Sequence, residues 1–476
     1  MIRLSSQTQT QIMMNYIKYY MLSIGLIASF SLFGQESLSL DAAIKKGLEN
    51  NYDITIESSR IDVATNNNDW GEAGRMPTVT FNTDINNNRS DIDNDPQFNF
   101  GFVSPGFMLN NSKSNAITPS VNVGWTFFSG NKVNIGKQRL ANMQKESEGN
   151  ADIVVANTIQ AIILGYYRSV LESRRLEELN KQLKLSSDKL YYMQIKSDVG
   201  GAVISEVLLE ESNYLNDSVN YINQQLIQRS ALRQLNLLLA EPNPNKEYIL
   251  TDGLIINWES MDYNSLLSSI EQNEDLKKLY ISQSILGNNV QMNKSDLYPT
   301  LGLNTGYQYN INRQNLTNAV SNISDENGIP LPTPENATLA RTGAAYINFR
   351  LTFNLYNGGK VNRAIKNAII NEDIGNIKIE KMKASITNDL AEAYDAYTVR
   401  MQIYEIDRRK TVVSQQSLDI SKEKFQNGSI NSFDFRIVQN NSLMAAIQEL
   451  QSLYNLLDAR VTLMRLTGGI LEEFIE

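Results

Sequence analysis

The chain has 476 residues, a formal net charge of −9, no cysteine and no histidine. Without cysteine it can form no disulfide, thiolate metal site or lipid-modified cysteine, and without histidine it lacks the commonest metal ligand and general base. The acidic balance, with no basic stripe, argues against nucleic-acid binding. Composition therefore leads us to expect no cofactor and no metal site, and it makes an enzyme, which could still use carboxylates or a serine, the less favoured class.

The N-terminal segment, 1–34, is predicted to be a signal peptide. Positions 21–33 form an apolar run that is too short to span a bilayer as a helix, and Lys18 precedes it. The alternative is a buried N-terminal helix. No other stretch reaches the roughly 18 consecutive apolar residues of a transmembrane helix. Any membrane span must therefore be made of strands.

The rest of the chain consists of two similar halves, 35–239 and 262–476, joined by an irregular connector at 240–261. Each half has the same order of elements: a short helix, two strands, a long helix and a return helix. Pro77 and Pro299 stand where each first helix, predicted as one continuous segment, gives way to a strand. We therefore expect one architecture repeated twice.

Four stretches alternate apolar and polar residues with a period of two, which predicts strands. They cover about 77–89, 116–128, 299–312 and 342–356, and polar loops at 86–115 and 312–341 join the members of each pair. Each has the length that a tilted strand needs to cross an outer membrane. An ordinary half-buried sheet in a soluble domain is the alternative, but the chain offers no spare core to cover a whole apolar face.

Each strand pair runs into a long helix through a short joint. Gly130 lies in the first joint, and Gly358 and Gly359 lie in the matching joint of the second half. Glycine can supply positive φ at low steric cost, so we expect these residues to carry the chain from strand to helix. Long helices are predicted at 133–196 and 361–424, and apolar positions at heptad spacing predict that they pack laterally with the return helices.

Four strands cannot close a barrel alone, and lipid tolerates no open sheet edge. The chain must therefore oligomerise, giving eight strands as a dimer or twelve as a trimer, with the long helices extending the tube beyond the membrane. Arg350 and asparagine side chains would line a polar lumen. The predicted fold class is an α/β membrane protein of two structural repeats, each a β-hairpin followed by long antiparallel coiled-coil helices.

The order of these elements resembles the TolC-like outer membrane efflux protein family. The two proline strand entries, Phe-Ser-Gly at 128–130 and Tyr-Asn-Gly-Gly at 356–359 carry the resemblance. The helix-tip sequences at 201–207 and 428–434 and the ending Leu-Thr-Gly-Gly at 466–469 are also similar to the family. Each motif is weak alone, but their order, found twice between about residues 37 and 470, is specific.

The resemblance implies a homotrimer with a 12-stranded outer-membrane β-barrel and a periplasmic α-helical barrel. It also implies an exit duct for small molecules or proteins that works with a periplasmic adaptor and an inner-membrane RND or ABC pump. In the family the tunnel narrows at the helix tips, where Asp434 matches one acidic gate position and Ile437 replaces the second. The other gate-region candidates are Glu206, Glu210, Gly201 and Gly428.

Two other classes of protein compete with this interpretation. A coiled-coil structural or adhesin-type surface protein without channel activity would explain the heptads but not the four alternating stretches. An enzyme would have to use carboxylates such as Asp53, Glu57 and Asp62 on the first helix. Helix surfaces collect such residues routinely, so we expect no enzymatic activity.

Overall fold

The computed structural model describes residues 36–94, 97–99, 102–104, 107–254, 261–315, 319–321 and 338–471. The predicted signal peptide at 1–34 lies outside them. The chain forms two compact units, and each unit takes segments from both sequence repeats. The helical unit contains the described residues up to Ser59, Gly149–Lys278 and the described residues from Glu380 onward; the sheet unit contains the described residues of Arg60–Glu148 and Leu279–Ile379.

The main elements occur in the same order in both repeats: short helices, a long antiparallel strand pair, a long helix and a return helix. The first repeat contains β1 (Glu36–Leu38), α1 (Leu40–Asn50), α2 (Tyr52–Asn67), β2 (Thr78–Asn94), β3 (Gln97–Asn99), β4 (Phe102–Ser104), β5 (Phe107–Ser129), α3 (Lys132–Asp198) and α4 (Ile204–Leu238). After β6 (Tyr248–Leu250), the second repeat contains α5 (Tyr263–Ser268), a 3-10 turn (Ile270–Gln272), α6 (Glu274–Ser295), β7 (Thr300–Asn315), β8 (Ala319–Ser321), β9 (Thr338–Thr352), α7 (Lys360–Gln426) and α8 (Ser432–Leu466). The long helices α3 and α7 have 67 residues each, and the return helices α4 and α8 have 35 each. The sequence repeat is therefore a structural repeat.

The short helix expected at the start of each repeat is broken, at Asn51 in the first and at Asn273 in the second. Both asparagines are buried, and each side-chain oxygen accepts a hydrogen bond from a backbone N–H at the start of the next helix. Each side-chain amide donates to the last carbonyl of a return helix, Leu238 O at 2.9 Å and Leu466 O at 3.0 Å. The prediction of a continuous helix was wrong because this one side chain hydrogen-bonds both the start of the next helix and the end of a return helix.

Strands β2, β5, β7 and β9 form an antiparallel sheet in that order. The register places the apolar members of all four predicted stretches on one face: Phe81 is opposite Val121, which is opposite Tyr307, and Leu303 is opposite Phe349. Many of these side chains are exposed, with Phe81 at 70% and Phe349 at 75%. The predicted alternation therefore produces a sheet with one apolar and one polar face, and in the single chain many side chains of the apolar face are uncovered.

The strands differ in length from the prediction. β2 continues to Asn94, β5 begins at Phe107 and β7 continues to Asn315, all within stretches expected to be loops. Polar residues pair here because a ladder depends on backbone hydrogen bonds to the partner strand, not on apolar side chains. At the other end β9 stops at Thr352 rather than near 356, because its partner there is Thr300, the first residue of β7.

The main core lies within the helical unit, where α1, α3, α4 and α8 pack together. Tyr166 of α3 and Leu235 of α4 are fully buried, and the heptad of α8 contributes Leu457, Val461 and Met464. An apolar stripe along α4 does not face this core. Its members are 56–64% exposed in the single chain: Leu208, Leu215, Val219, Ile222 and Leu226.

Among the described residues, one helix, α3, is long and apolar enough to cross a membrane by length and composition alone. Its 18-residue window has a mean hydropathy of 1.2, and half of that window is buried. A core helix passes the same test, and Ile159, Ile162 and Tyr166 of α3 belong to the core of the helical unit. We interpret α3 as a core helix.

A cluster of charged side chains around Glu241 holds the short parallel pair of β1 and β6. Lys46 and Lys246 both pair with Glu241, Tyr248 donates a hydrogen bond to it at 2.7 Å, and Lys246 also pairs with Glu36 at 2.7 Å. Burial alone raises the pKa of Glu241, but hydrogen bonds from Lys46, Tyr248 and Lys246 outweigh that effect and lower the pKa to about 2.

We expect acid to weaken this cluster as the pH falls from about 4.5 towards about 2. A carboxylate whose pKa is lowered by folding stabilises the folded state above its unfolded pKa, and protonation removes that contribution. Protection of the β1 and β6 amides against hydrogen exchange should therefore fall with pH in this window. In Glu241→Gln the protection should be low at neutral pH and insensitive to acid. An unchanged acid response in that variant would contradict the assignment.

Candidate functional site

The first strand-to-helix joint is sterically closed around glycine. β5 passes to α3 through Gly130 and Asn131, which both lie in the left-handed region with φ of 60° and 69°. A Cβ on Gly130 would come within 2.6 Å of the Ser295 carbonyl oxygen and 2.7 Å of the Tyr298 Cβ. Lys132 pairs with Asp296 at 2.7 Å on the same turn. Glycine is required at 130 by both conformation and surroundings.

The second joint has the same backbone conformation and open surroundings. Gly358 and Gly359 have φ of 66° and 74°. A Cβ on Gly358 would meet no heavy atom within 4 Å, and a Cβ on Gly359 would approach only the flexible side chain of Arg363, at 3.2 Å. At this joint glycine is favoured by backbone conformation alone.

The tips of the long helices also end at glycine turns. Gly200 follows α3 with φ of 78°, and Gly428 follows α7 with φ of 72°. Gly201 completes the first turn, and its N–H donates to the Lys196 carbonyl oxygen at 2.7 Å. Left-handed glycine is the usual way to end a helix, so these residues fix where each long helix reverses.

Glu206 and Asp434 occupy the same position in the first turns of α4 and α8. The Asp434 N–H donates to the side-chain oxygen of Asn431 at 2.8 Å, and the Glu206 carboxylate accepts from the Val203 N–H at 3.2 Å. Both acidic residues are exposed. Both acidic side chains therefore lie exposed at the helix tips, where the N-terminus of a helix favours negative charge.

Glu210 is placed differently from these two acids. Its side chain is 1% exposed and pairs at 3.1 Å with Lys189, which is also buried, while the Ser432 hydroxyl donates to its other carboxylate oxygen. Lys189 also donates to the Ser432 carbonyl oxygen at 2.9 Å. Burial lowers the pKa of Lys189, and the Glu210 carboxylate opposes that change. Glu210 thus joins α3, α4 and α8 and directs its charge inward.

A second buried ion pair lies in the same region. Arg436 of α8 binds Asp217 of α4 through two parallel hydrogen bonds of 2.7 Å, and the Asp217 side chain is 5% exposed. Ser186 of α3 donates to the same carboxylate and accepts from Arg436 at 3.0 Å. Gln182 donates to it at 3.3 Å. Side chains from three helices therefore satisfy one buried charge, which makes the network sensitive to the loss of any member.

Sequence reasoning missed Lys189, Asp217 and Arg436. One available signal was the interruption of the apolar seam of α3 at Ser186, because a polar residue in a buried seam needs a hydrogen-bond partner. The partner could not be identified, since Arg436 and Asp217 are 219 residues apart in the chain.

Arg350 lies on the polar face of the sheet. In the register it is opposite Gly302 of β7, and Asn348 on the same face is opposite Asn304. Arg350 is exposed. Its position agrees with a side chain that projects away from the apolar face.

Residues 266–469 match the family model described as outer membrane efflux protein. The search of curated proteins gives no match. Similar solved structures include CusC (TM-score 0.68, 13% identity, covering 92% of this chain and 96% of that one). They also include the outer membrane channel CmeC of Campylobacter jejuni (0.67, 15%, 90% and 85%) and the open state of the outer membrane channel MtrE of Neisseria gonorrhoeae (0.64, 14%, 91% and 89%).

At these identities the structural likeness establishes the fold, and the family match adds the class of protein. Together they define an outer membrane channel protein. Within the second repeat, residues 266–469 match the outer membrane efflux protein family, and the chain has the fold of the solved outer membrane channels that it resembles. The surface-protein alternative is not favoured.

Proposed function

We propose that three copies of this chain form the exit duct of a tripartite export system. The duct passes small molecules or proteins outward and works with a periplasmic adaptor and an inner-membrane RND or ABC pump. The sheets of the three copies close a 12-stranded barrel in the outer membrane, and the long helices form the periplasmic tunnel. The duct has no reaction of its own, and the pump supplies the energy.

The open, two-faced sheet is the observation that carries this proposal. Among the described residues, the outer strands β2 and β9 each pair with one neighbour only, β5 and β7 respectively. An apolar face of this kind suits lipid, but an unpaired edge in lipid leaves backbone N–H and C=O groups unsatisfied at several kcal/mol each. Pairing β9 of one copy with β2 of the next satisfies both edges and closes the barrel.

The exposed stripe of α4 supports assembly independently of the sheet. Apolar side chains repeat along this helix from Leu208 to Leu226 and face away from the core of their own chain. Burying a leucine or isoleucine side chain contributes roughly 1.5–3 kcal/mol, so a continuous stripe favours a neighbouring helix over water. A second copy of the chain provides such a helix.

Engineered disulfides between β2 and β9 test the assembly, and the natural absence of cysteine gives a clean background. Thr80→Cys is combined in turn with Tyr346→Cys, Asn348→Cys or Arg350→Cys, all on the polar face. We expect one combination to give covalent dimers and trimers but no larger species. The control pair is Thr80→Cys with Asn122→Cys, which are in register within one chain and should remain monomeric. Crosslinked species no larger than a dimer, or the absence of crosslinks in every combination, would refute the trimer.

We further propose that Asp434 is the principal gate carboxylate and that Glu206 assists it. Both are exposed at equivalent helix starts, so a trimer presents three of each near the tunnel entrance. Like charges held close together attract cations. Glu210 is assigned no gate role, because its carboxylate is buried against Lys189.

Replacing Asp434 should relieve cation block of the channel. In planar bilayers we expect Asp434→Asn to raise the half-blocking Mg²⁺ concentration by about tenfold, which corresponds to the loss of about 1.4 kcal/mol of attraction. Glu206→Gln should have a smaller effect in the same direction. Glu211→Gln, an exposed acid on the same helix, is the matched control and should leave the block unchanged. Equal block in Asp434→Asn and the wild type would remove Asp434 from the gate.

A further inference from the structure

A cavity of about 470 Å³ lies in the helical unit between α3 and the end of α7, beside the first turn of α8. Leu185, Phe425 and Phe435 supply apolar surface, and Tyr192 borders it. The rings of Phe425 and Phe435 stack with centroids 4.9 Å apart and an interplanar angle of 10°, while Tyr192 meets Phe425 edge to face. The cavity therefore has the size and the aromatic lining of a small-molecule site.

Lysines dominate the charged part of the lining. Lys189 is neutralised by Glu210, and Lys181 pairs with Glu178 at 2.6 Å. Lys184 and Lys422 also line the cavity, and among the described residues neither has an ion-pair partner within 4.0 Å.

Asp188 is the one carboxylate in the lining. The unpaired charge is therefore two ammonium groups against one carboxylate, beside an aromatic surface. We propose that this cavity binds an amphipathic organic anion: an aromatic or short alkyl body with one carboxylate or sulfonate. The body packs on the Phe425 and Phe435 rings, and the anionic group lies between Lys184 and Lys422. A neutral analogue loses the ammonium contacts, and a cationic analogue is repelled.

This cavity is separate from the residues that we propose for the gate and for the barrel. It uses none of the exposed carboxylates assigned to the gate. Binding there brings α3 and α7 together next to the turn at Gly428, so an occupied cavity should also protect the amides of that turn.

The test measures binding of 1-naphthalenesulfonate to the full-length protein in neutral detergent, by equilibrium dialysis against detergent-only blanks. 1-Naphthalenemethanol and 1-naphthylmethylammonium are the neutral and cationic comparison probes. We expect the sulfonate to bind at least about tenfold more tightly than the alcohol, and the ammonium compound to bind more weakly still.

Variants assign the binding to the cavity. Lys184→Glu with Lys422→Glu should weaken sulfonate binding by about tenfold or more, Lys184→Arg with Lys422→Arg should retain it, and Asp188→Asn should tighten it about threefold. Lys366→Glu with Lys410→Glu changes the charge by the same amount elsewhere and should have no effect. Exposed lysines tolerate these changes, and the helical circular dichroism of each variant checks folding.

Equal binding of sulfonate and alcohol, or wild-type binding by the Lys184→Glu, Lys422→Glu variant, would overturn the proposal. A cavity reserved for a helix of another protein would leave the soluble anion unbound, which also overturns it.

Discussion

Replacing Arg436 with methionine should loosen the tips of α3, α4 and α8. The change leaves the Asp217 carboxylate buried with only Ser186 and Gln182 as donors. Removing one partner of a buried ion pair typically costs about 3–5 kcal/mol. We expect backbone amides near residues 186, 217 and 436 to exchange at least about a hundredfold faster, as measured by hydrogen–deuterium exchange, because each 1.4 kcal/mol corresponds to a factor of ten.

The second partner provides the internal control for this result. In Arg436→Met with Asp217→Leu no charge is left unpaired, so most of the lost protection should return. The exposed pair Arg408–Glu405 is the external control: its side chains are 62% and 60% exposed, and its replacement should change exchange very little. Additive effects of the two single variants would show that the pair does not act as a unit.

Substituting alanine at Gly130 should impair the protein far more than the same substitution at Gly358. Both positions have positive φ, which costs a non-glycine residue roughly 1–2 kcal/mol. At Gly130 the new Cβ also collides with backbone and with Tyr298, and such overpacking adds about 1–3 kcal/mol. We expect Gly130→Ala to reduce the amount of assembled protein in the outer membrane severalfold and to lower its melting temperature in detergent.

The repeat supplies the matched variants for this comparison. Gly358→Ala should carry only the conformational cost, and Gly358→Asn should be nearly neutral because asparagine tolerates the left-handed region. The backbone of Asn131 already adopts that conformation at the first joint, with φ of 69°. Equal losses at Gly130 and Gly358 would mean that the contact with Tyr298 is relieved by local movement.

Much of this fold could be predicted from the chain because its elements are long and periodic. A period of two sustained along each strand determines which side chains share a face, and the observed register agrees with it from Phe81 to Phe349. Strand ends were predicted less well. Where β9 ends depends on where β7 begins, at Thr300, and no property of residues 353–356 reports this.

The polar interior of the helix tips could not be predicted for a related reason. An acidic residue on an amphipathic helix has the same local sequence signature whether it meets water or a buried cation. Glu206 and Glu210 are one helical turn apart, yet one is exposed and the other is paired with Lys189. The difference lies in α3 and α8, which bring Lys189 and the Ser432 hydroxyl to Glu210. Only tertiary structure supplies that information.

The buried ion pairs at the tips have a consequence for symmetry. When the two repeats are aligned on Gly130 and Gly358, the counterparts of Lys189, Glu210, Asp217 and Arg436 are Ser417, Val438, Ala445 and Leu208, which carry no charge. Two hairpins of matching length in each chain would give a trimer a pseudo-sixfold ring of helix ends. The buried ion pairs in that ring would have only threefold symmetry, because these four charged residues have no charged counterparts in the other repeat. Adjacent hairpins in the ring are therefore unequal, and a partner that binds six similar-looking grooves must distinguish two kinds.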